Sequence, residues 1–291
     1  MLAVWSDGAI THSPGPRQAK LGGSGLGLVA LASYEQLEPG SIPLEEFRAL
    51  GRFIVYLQKP DGNFHSKYIP SEGGPSDQWT SLYYPGEAAL GLVMLYELDP
   101  DPLWLESASK AIGYLAESRQ TQTEVPADHW ALLATSRLMA LQTELPLERL
   151  TLINHAIQIC GSILQDQVDH SQATECIGGF DPHGRTTPTA TRLEGLLAAL
   201  KCLPENYFAY GRVKASIPPA IQCLLRAQVS AGPQRGAVPR AMRPRVGESK
   251  AIASFNQRAT EVRIDYVQHA LSAWIEYWDR MKLEHPSSDA P

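Results

Sequence analysis

The sequence predicts an all-α protein assembled from helical hairpins. Three observations carry this. Apolar residues recur at helical spacing through most of the 291 residues. No comparable set of alternating strands appears, beyond room for a hairpin or two in loops. The links between the periodic segments alternate between short and long.

The spacing predicts helices over 18–36, 43–58, 83–98, 102–117, 128–142, 146–166, 190–203, 211–228 and 261–281. The first to second link ("LEPGSI", 37–42), the third to fourth ("DPDP", 99–102), the fifth to sixth ("TELP", 143–146) and the seventh to eighth (204–210) are short. Short links make antiparallel neighbours. The links 59–82, 118–127, 167–189 and 229–260 are longer, and each crosses to the next hairpin. Hairpins stacked in order place all the long links at one end, where a helical scaffold carries function.

Composition narrows the classes. Forty-four percent apolar and 19% charged residues are ordinary for a globular chain. A net charge of −6 with a pI near 5.8 argues against a general nucleic-acid binder. Cys160, Cys176, Cys202 and Cys223 form no CxxC pair, which favours a reducing, cytoplasmic setting over a disulfide scaffold. The opening "MLAVWSDGAITHSPGPRQ" lacks the basic and apolar regions of a signal peptide. No apolar run is long enough for a membrane span. We read 1–291 as a single domain, with 1–17 an irregular N-terminal segment, 229–260 a long basic loop and candidate lid, and 282–291 a disordered tail.

A weak internal repeat runs through the even-numbered helices. From Arg48 the order is Ala49, Phe53-Ile54, Gln58, Gly62 and Phe64. A second copy has Lys110-Ala111, Tyr114-Leu115 and Gln120; a third keeps Cys223-Leu224 and Gln228. This pattern resembles the QW repeat of the terpenoid cyclase and protein prenyltransferase superfamily. The resemblance implies an α/α toroid, an incomplete barrel with about five inner and four outer helices. It also implies that Gln58 caps an outer helix and that Phe64 stacks over the turn. Asp61-Gly62 is an ordinary turn pair. The even helices carry charges among apolar residues, as outer helices should. The odd ones are richer in small and apolar residues, such as "LGGSGLGLVALA" and "LEGLLAAL". Glycines within the first helix weaken it and make sense where another backbone comes close, or where a cavity lies.

Each odd helix begins with polar residues out of place in a buried segment. These are Tyr84 and Glu87; Asp128, His129 and Trp130; Arg192 and Glu194; and Arg263, Asp265, Tyr266 and His269. Asp265 and His269 are four apart and share a helix face. A carboxylate there would fix one imidazole tautomer and raise its basicity. The expected catalytic set is therefore Asp265, His269, His129, Asp128 and Glu87. Arg192, Glu194, Arg263, Tyr84, Trp130 and Tyr266 are expected to bind substrate. Acidic residues also favour helix starts through capping and the helix dipole, so Asp128 serves equally as an N-cap. The link 167–189 holds His170, Glu175, Cys176, Asp181 and His183, but at no spacing that defines a zinc site. No metal and no cofactor are expected.

The expected function is acid–base chemistry on a polar, anionic, carbohydrate or uronate-like substrate. Carbohydrate-active α/α barrels (epimerases, uronate hydrolases and lyases) are similar in architecture. The alternatives are a terpene-cyclase-like enzyme acting on an isoprenoid and a non-catalytic toroid that binds a peptide or protein. Against the cyclase, no Asp-x-Asp-Asp or Asp-Asp-x-x-Asp motif occurs. The expected partner is a small-molecule or oligosaccharide substrate, with no nucleic acid and no membrane.

Overall fold

The computed structural model describes residues 2–5, 8–11, 18–169 and 175–284. Helices dominate: α1 (Leu21–Leu37), α2 (Leu44–Tyr56), α3 (Tyr84–Leu98), α4 (Pro102–Arg119), α5 (His129–Ala140), α6 (Arg149–Gln165), α7 (Thr186–Cys202), α8 (Phe208–Ala227), α9 (Lys250–Gln257) and α10 (Ile264–Glu284). The chain divides into two compact units, Met1–Gln158 and Ile159–Pro291, and each is described by itself.

In the first unit, α3 is the central element. Every residue from Pro85 to Leu95 is buried, and α1, α4 and α5 all pack on it. The small residues of α1 serve this packing. A Cβ on Gly25 would lie 2.7 Å from the backbone oxygen of Glu87, and one on Gly91 would lie 2.8 Å from the Gly25 oxygen. The two helices therefore meet backbone to backbone, which is why α1 tolerates a composition that disfavours helix. By contrast α2 buries Phe47, Leu50, Phe53 and Ile54 on one face and keeps Arg52 and Tyr56 in solvent. That is the pattern of an outer helix.

Short strands supplement the helices. Leu2–Trp5 (β1) pairs antiparallel with Gly8–Thr11 (β2), where an irregular segment was expected. Ala19–Lys20 (β3), Lys67–Ile69 (β4) and Gly74–Ser76 (β5) form a three-stranded sheet in that order. This sheet fastens the 59–82 link to the start of α1, helped by the Leu21 N–H donating to the Ser66 oxygen at 3.1 Å.

In the second unit, α7 packs against α8 and α10. The α7 stretch Leu193–Leu200 is wholly buried. This helix starts four residues before the expected 190. Pro188 does not prevent the earlier start, because the first helical turn needs no N–H partners and accepts Pro. The Thr191 hydroxyl donates back to the Thr187 oxygen at 3.0 Å. The 229–260 link is not all loop, since Ser249 caps α9 by accepting from the Ile252 N–H at 3.2 Å. Helix α10 departs from the expected enclosed inner helix: only Tyr266, Ala270 and Ala273 are buried, and Ile264, Leu271, Ile275 and Trp278 are exposed. It runs to Glu284, into the expected tail, whose remaining residues lie outside those described.

One local arrangement occurs in both units. After α2, Gln58 Nε2 donates to the Gly62 oxygen at 3.1 Å and to the Ser107 oxygen of α4 at 2.9 Å. After α6, Gln167 Nε2 donates to the Gly178 oxygen at 3.0 Å and to the Ser216 oxygen of α8 at 2.8 Å. Gly62 and Gly178 have φ of +94° and +86°. A Cβ on either would strike a backbone oxygen, Lys110 or Pro219, three residues past the serine. The amide thus ties a left-handed turn to the next even-numbered helix. The position expected at Gln228 makes a different bond, to the Gly236 oxygen at 3.2 Å. Gln167 was not legible, because eleven residues separate it from its glycine.

Candidate functional site

The expected site residues fall into groups that the helices position differently. In the second unit, His269 Nδ1 lies 2.7 Å from Glu194 Oε2. Both side chains are largely buried, 13% and 7% exposed. The contact joins α10 to α7. Glu194 is therefore the partner of the histidine, not Asp265 as expected. Asp265 sits in the first turn of α10, and its carboxylate lies 3.0 Å from Nε of Arg263, just ahead of the helix. An acceptor at Nδ1 holds the proton there in the neutral ring, which makes Nε2 the basic nitrogen. A carboxylate–imidazole pair of this kind moves protons effectively.

The two arginines expected to hold an anion are engaged within the chain. Arg192 pairs with Asp166 at 2.8 Å and donates to the Phe180 oxygen. Arg263 pairs with Asp265 and lies 5.4 Å from the Tyr266 ring centroid. The Tyr266 hydroxyl donates to Glu261 Oε2 at 3.3 Å.

In the first unit, Tyr84 and Glu87 stand one turn apart at the start of α3. Both border Gly22, where a Cβ would overlap the Glu87 carboxylate and the Tyr84 ring. Burial, then the Glu87 charge, raises the Tyr84 hydroxyl above its ordinary pKa. His129, 3% exposed, contacts two rings, with centroids 5.5 Å from Tyr83 and 4.7 Å from Trp130.

Asp128 is committed elsewhere. Its Oδ1 accepts from the Ala131 N–H at 3.1 Å, which caps α5. Its Oδ2 accepts from Arg119 at 2.8 Å, and both side chains are buried. Arg119 also reaches His155 Nε2 at 3.3 Å. A guanidinium only donates, so Nε2 is the acceptor and His155 is neutral. Burial, reinforced by the Arg119 charge, pushes His155 down to about 3. This Asp128–Arg119–His155 network was not legible as a unit, because neither Arg119 nor His155 stands in a motif. It removes Asp128 from the expected catalytic set: the carboxylate spends its lone pairs on a cap and a buried cation.

Parts of the 167–189 link also serve local structure. Asp181 Oδ1 accepts from the His183 and Arg185 N–H groups at 2.9 and 3.2 Å. Glu175 pairs with Arg243 at 3.2 Å, and the buried Cys176 thiol has its pKa raised by burial. His170 lies outside the described residues.

No family model matches the chain, and no curated protein matches it. Four solved chains do, among them the two that follow. One is a glycosyl hydrolase family 88 protein from Bacteroides vulgatus, with TM-score 0.57 and 16% identity over 87% of this chain and 73% of that one. The other is a polysaccharide lyase, with TM-score 0.54 and 15% identity over 87% of this chain and 72% of that one. Both are α/α toroids, and at this identity the likeness carries the fold: the chain is an all-α protein of the α/α-toroid class. Among the described residues no helix is long and apolar enough to cross a membrane.

Proposed function

We propose that this chain is an enzyme that performs acid–base chemistry on an anionic carbohydrate, with His269 as the proton-transferring group and Glu194 as its orienting partner. The observation that carries this reading is the 2.7 Å contact between His269 Nδ1 and the Glu194 carboxylate. Keeping an imidazole and a carboxylate largely out of water costs stability unless they pair; such pairs recur where a base must be held in one tautomer. The similar solved structures, a glycosyl hydrolase and a polysaccharide lyase, support a saccharide substrate. On the same reading Glu87 and His129 remain catalytic candidates, with Tyr84, Trp130 and Tyr266 as ring-stacking surfaces. Asp265 and Arg263 neutralise each other and are assigned to substrate contact at most. Four cysteines present as buried thiols fit a reducing, cytoplasmic setting.

The test is incubation of the purified protein with oligosaccharides that contain uronic acids. New reducing ends with a new double bond identify a lyase; new reducing ends alone identify a hydrolase; a changed sugar without cleavage identifies an isomerase. The reading fails if no acidic saccharide turns over, or if His269→Asn and Glu194→Gln turn over as fast as the parent.

The isoprenoid reading is less favoured, because charged helix starts do not suit a carbocation pocket and no Asp-rich motif is present. One observation favours the protein-binding alternative. Leu271, Ile275 and Trp278 make an exposed apolar stripe along α10 at helical spacing. A chain that captures a partner helix there but turns over nothing would support it.

A further inference from the structure

Arg192 and Arg263 pair with carboxylates of the chain itself. The segment after α8 offers two cations in an unusual setting. The guanidinium of Arg240 lies 5.1 Å from the ring centroid of Phe255, and that of Arg245 lies 5.5 Å from the same centroid. Phe255 is 8% exposed and anchors α9 in a small core with Ala241 and Ala259. Two like charges on one ring repel each other, and a single ring offsets little of that.

The backbone beneath both arginines is fixed. The Arg240 N–H donates to the Glu261 oxygen at 2.8 Å, and its carbonyl accepts from the Thr186 N–H at 3.1 Å. Asn256 clasps Arg245 from both sides: its Oδ1 accepts from the Arg245 N–H at 2.7 Å, and its Nδ2 donates to the Arg245 oxygen at 2.9 Å. Neither guanidinium pairs with a carboxylate among the described residues. Two acids of the surrounding segments pair with other arginines, Glu175 with Arg243 and Glu261 with Arg258. The chain therefore sets two guanidinium groups within 5.5 Å of the centroid of one ring, on a fixed backbone, with no carboxylate partner among the described residues.

We infer that Arg240 and Arg245, held on Phe255, form an oxyanion-binding site that takes the carboxylate of an acidic saccharide. Each guanidinium presents paired N–H donors that match a carboxylate, and stacking on Phe255 limits the freedom lost on binding. The site lies on the loop and α9 and uses none of the residues of the Glu194–His269 contact. The choice of a sugar acid as the ligand rests on the proposed saccharide substrate; anion binding itself does not depend on which reaction the chain performs.

Calorimetric titration at low ionic strength tests it, with sodium glucuronate, inorganic sulfate and inorganic phosphate as probes and glucose as the neutral control. The parent is expected to bind glucuronate and not glucose, and added salt is expected to weaken binding. Arg240→Gln/Arg245→Gln should weaken it by at least about tenfold. Should the double variant not fold, Arg245→Gln alone, at a half-exposed position, should still weaken it severalfold. Equal binding of sulfate and phosphate would assign the site to oxyanions in general; preference for glucuronate would assign it to sugar acids. The inference is overturned if the parent binds none of the three anions, or if glucuronate binds the arginine variants as tightly as the parent. The titration reads binding rather than turnover, so loss of the proposed enzyme function would leave this result standing.

Discussion

His269 Nδ1 and Glu194 Oε2 stand 2.7 Å apart and link α10 to α7. The contact gives the imidazole a direction: in the neutral ring the proton stays on the nitrogen facing Glu194, which leaves the other nitrogen as the acceptor. If His269 transfers the proton, His269→Asn should lower turnover by about 10²-fold or more. Glu194→Gln keeps the shape but not the charge, and should lower kcat more than it alters KM. Steady-state kinetics on an acidic oligosaccharide separates the two. Equal losses in thermal stability with unchanged kcat would leave the pair a structural contact.

Asp128 should behave as a structural residue. Asp128→Ala removes the α5 cap and leaves Arg119 buried without its carboxylate. Breaking a buried pair in this way costs about 3–5 kcal/mol. Urea unfolding measures it directly. A loss under about 1 kcal/mol would show that the Arg119 contact is not maintained in solution.

His155 predicts an acid sensitivity with a definite sign. Its folded pKa is about 3, well under its ordinary value of 6.5. Between these values the unfolded chain binds the proton and the folded chain does not, so stability falls as pH falls through 6.5 toward 3. For this one group the loss from pH 7 to pH 5 is about 2 kcal/mol. The parent should lose that much more than His155→Gln over the same interval. Parallel pH profiles for the two proteins would contradict it.

The paired glutamine turns predict matched losses in the two units. Gln58→Ala and Gln167→Ala each delete two hydrogen bonds to backbone oxygens and should cost about 1–3 kcal/mol. Gly62→Ala and Gly178→Ala should cost at least about 2 kcal/mol, since a left-handed backbone and a backbone oxygen both oppose the new methyl. Hydrogen exchange should show faster opening near the altered turn. An Ala variant as stable as the parent would mean that the turn relaxes freely.

Much of the architecture was legible because it is written in local terms. Apolar spacing marks the helices, and Asp128, read as an N-cap candidate, caps α5 through its own side chain. The alternation of link lengths marks the hairpins. The glycines of α1 announced a close approach, and Gly25 against α3 is that approach. Apart from the approach of Gly25 to Glu87, these features depend on residues within a few positions of one another, so the chain by itself determined them.

What only the tertiary structure decided is which polar groups meet. Spacing put Asp265 beside His269, but the partner is Glu194, 75 residues away. Spacing offered Arg192 and Arg263 to an anion, but Asp166 and Asp265 neutralise them, while Arg240 and Arg245 gather on Phe255. Asp128 read equally as a catalytic group and as an N-cap, and its buried partner Arg119 emerged only in the fold. A helix start exposes the same polar residue types whether they cap, pair or react. The choice among those fates is made by the charge that packing brings opposite them, at separations that no local pattern encodes.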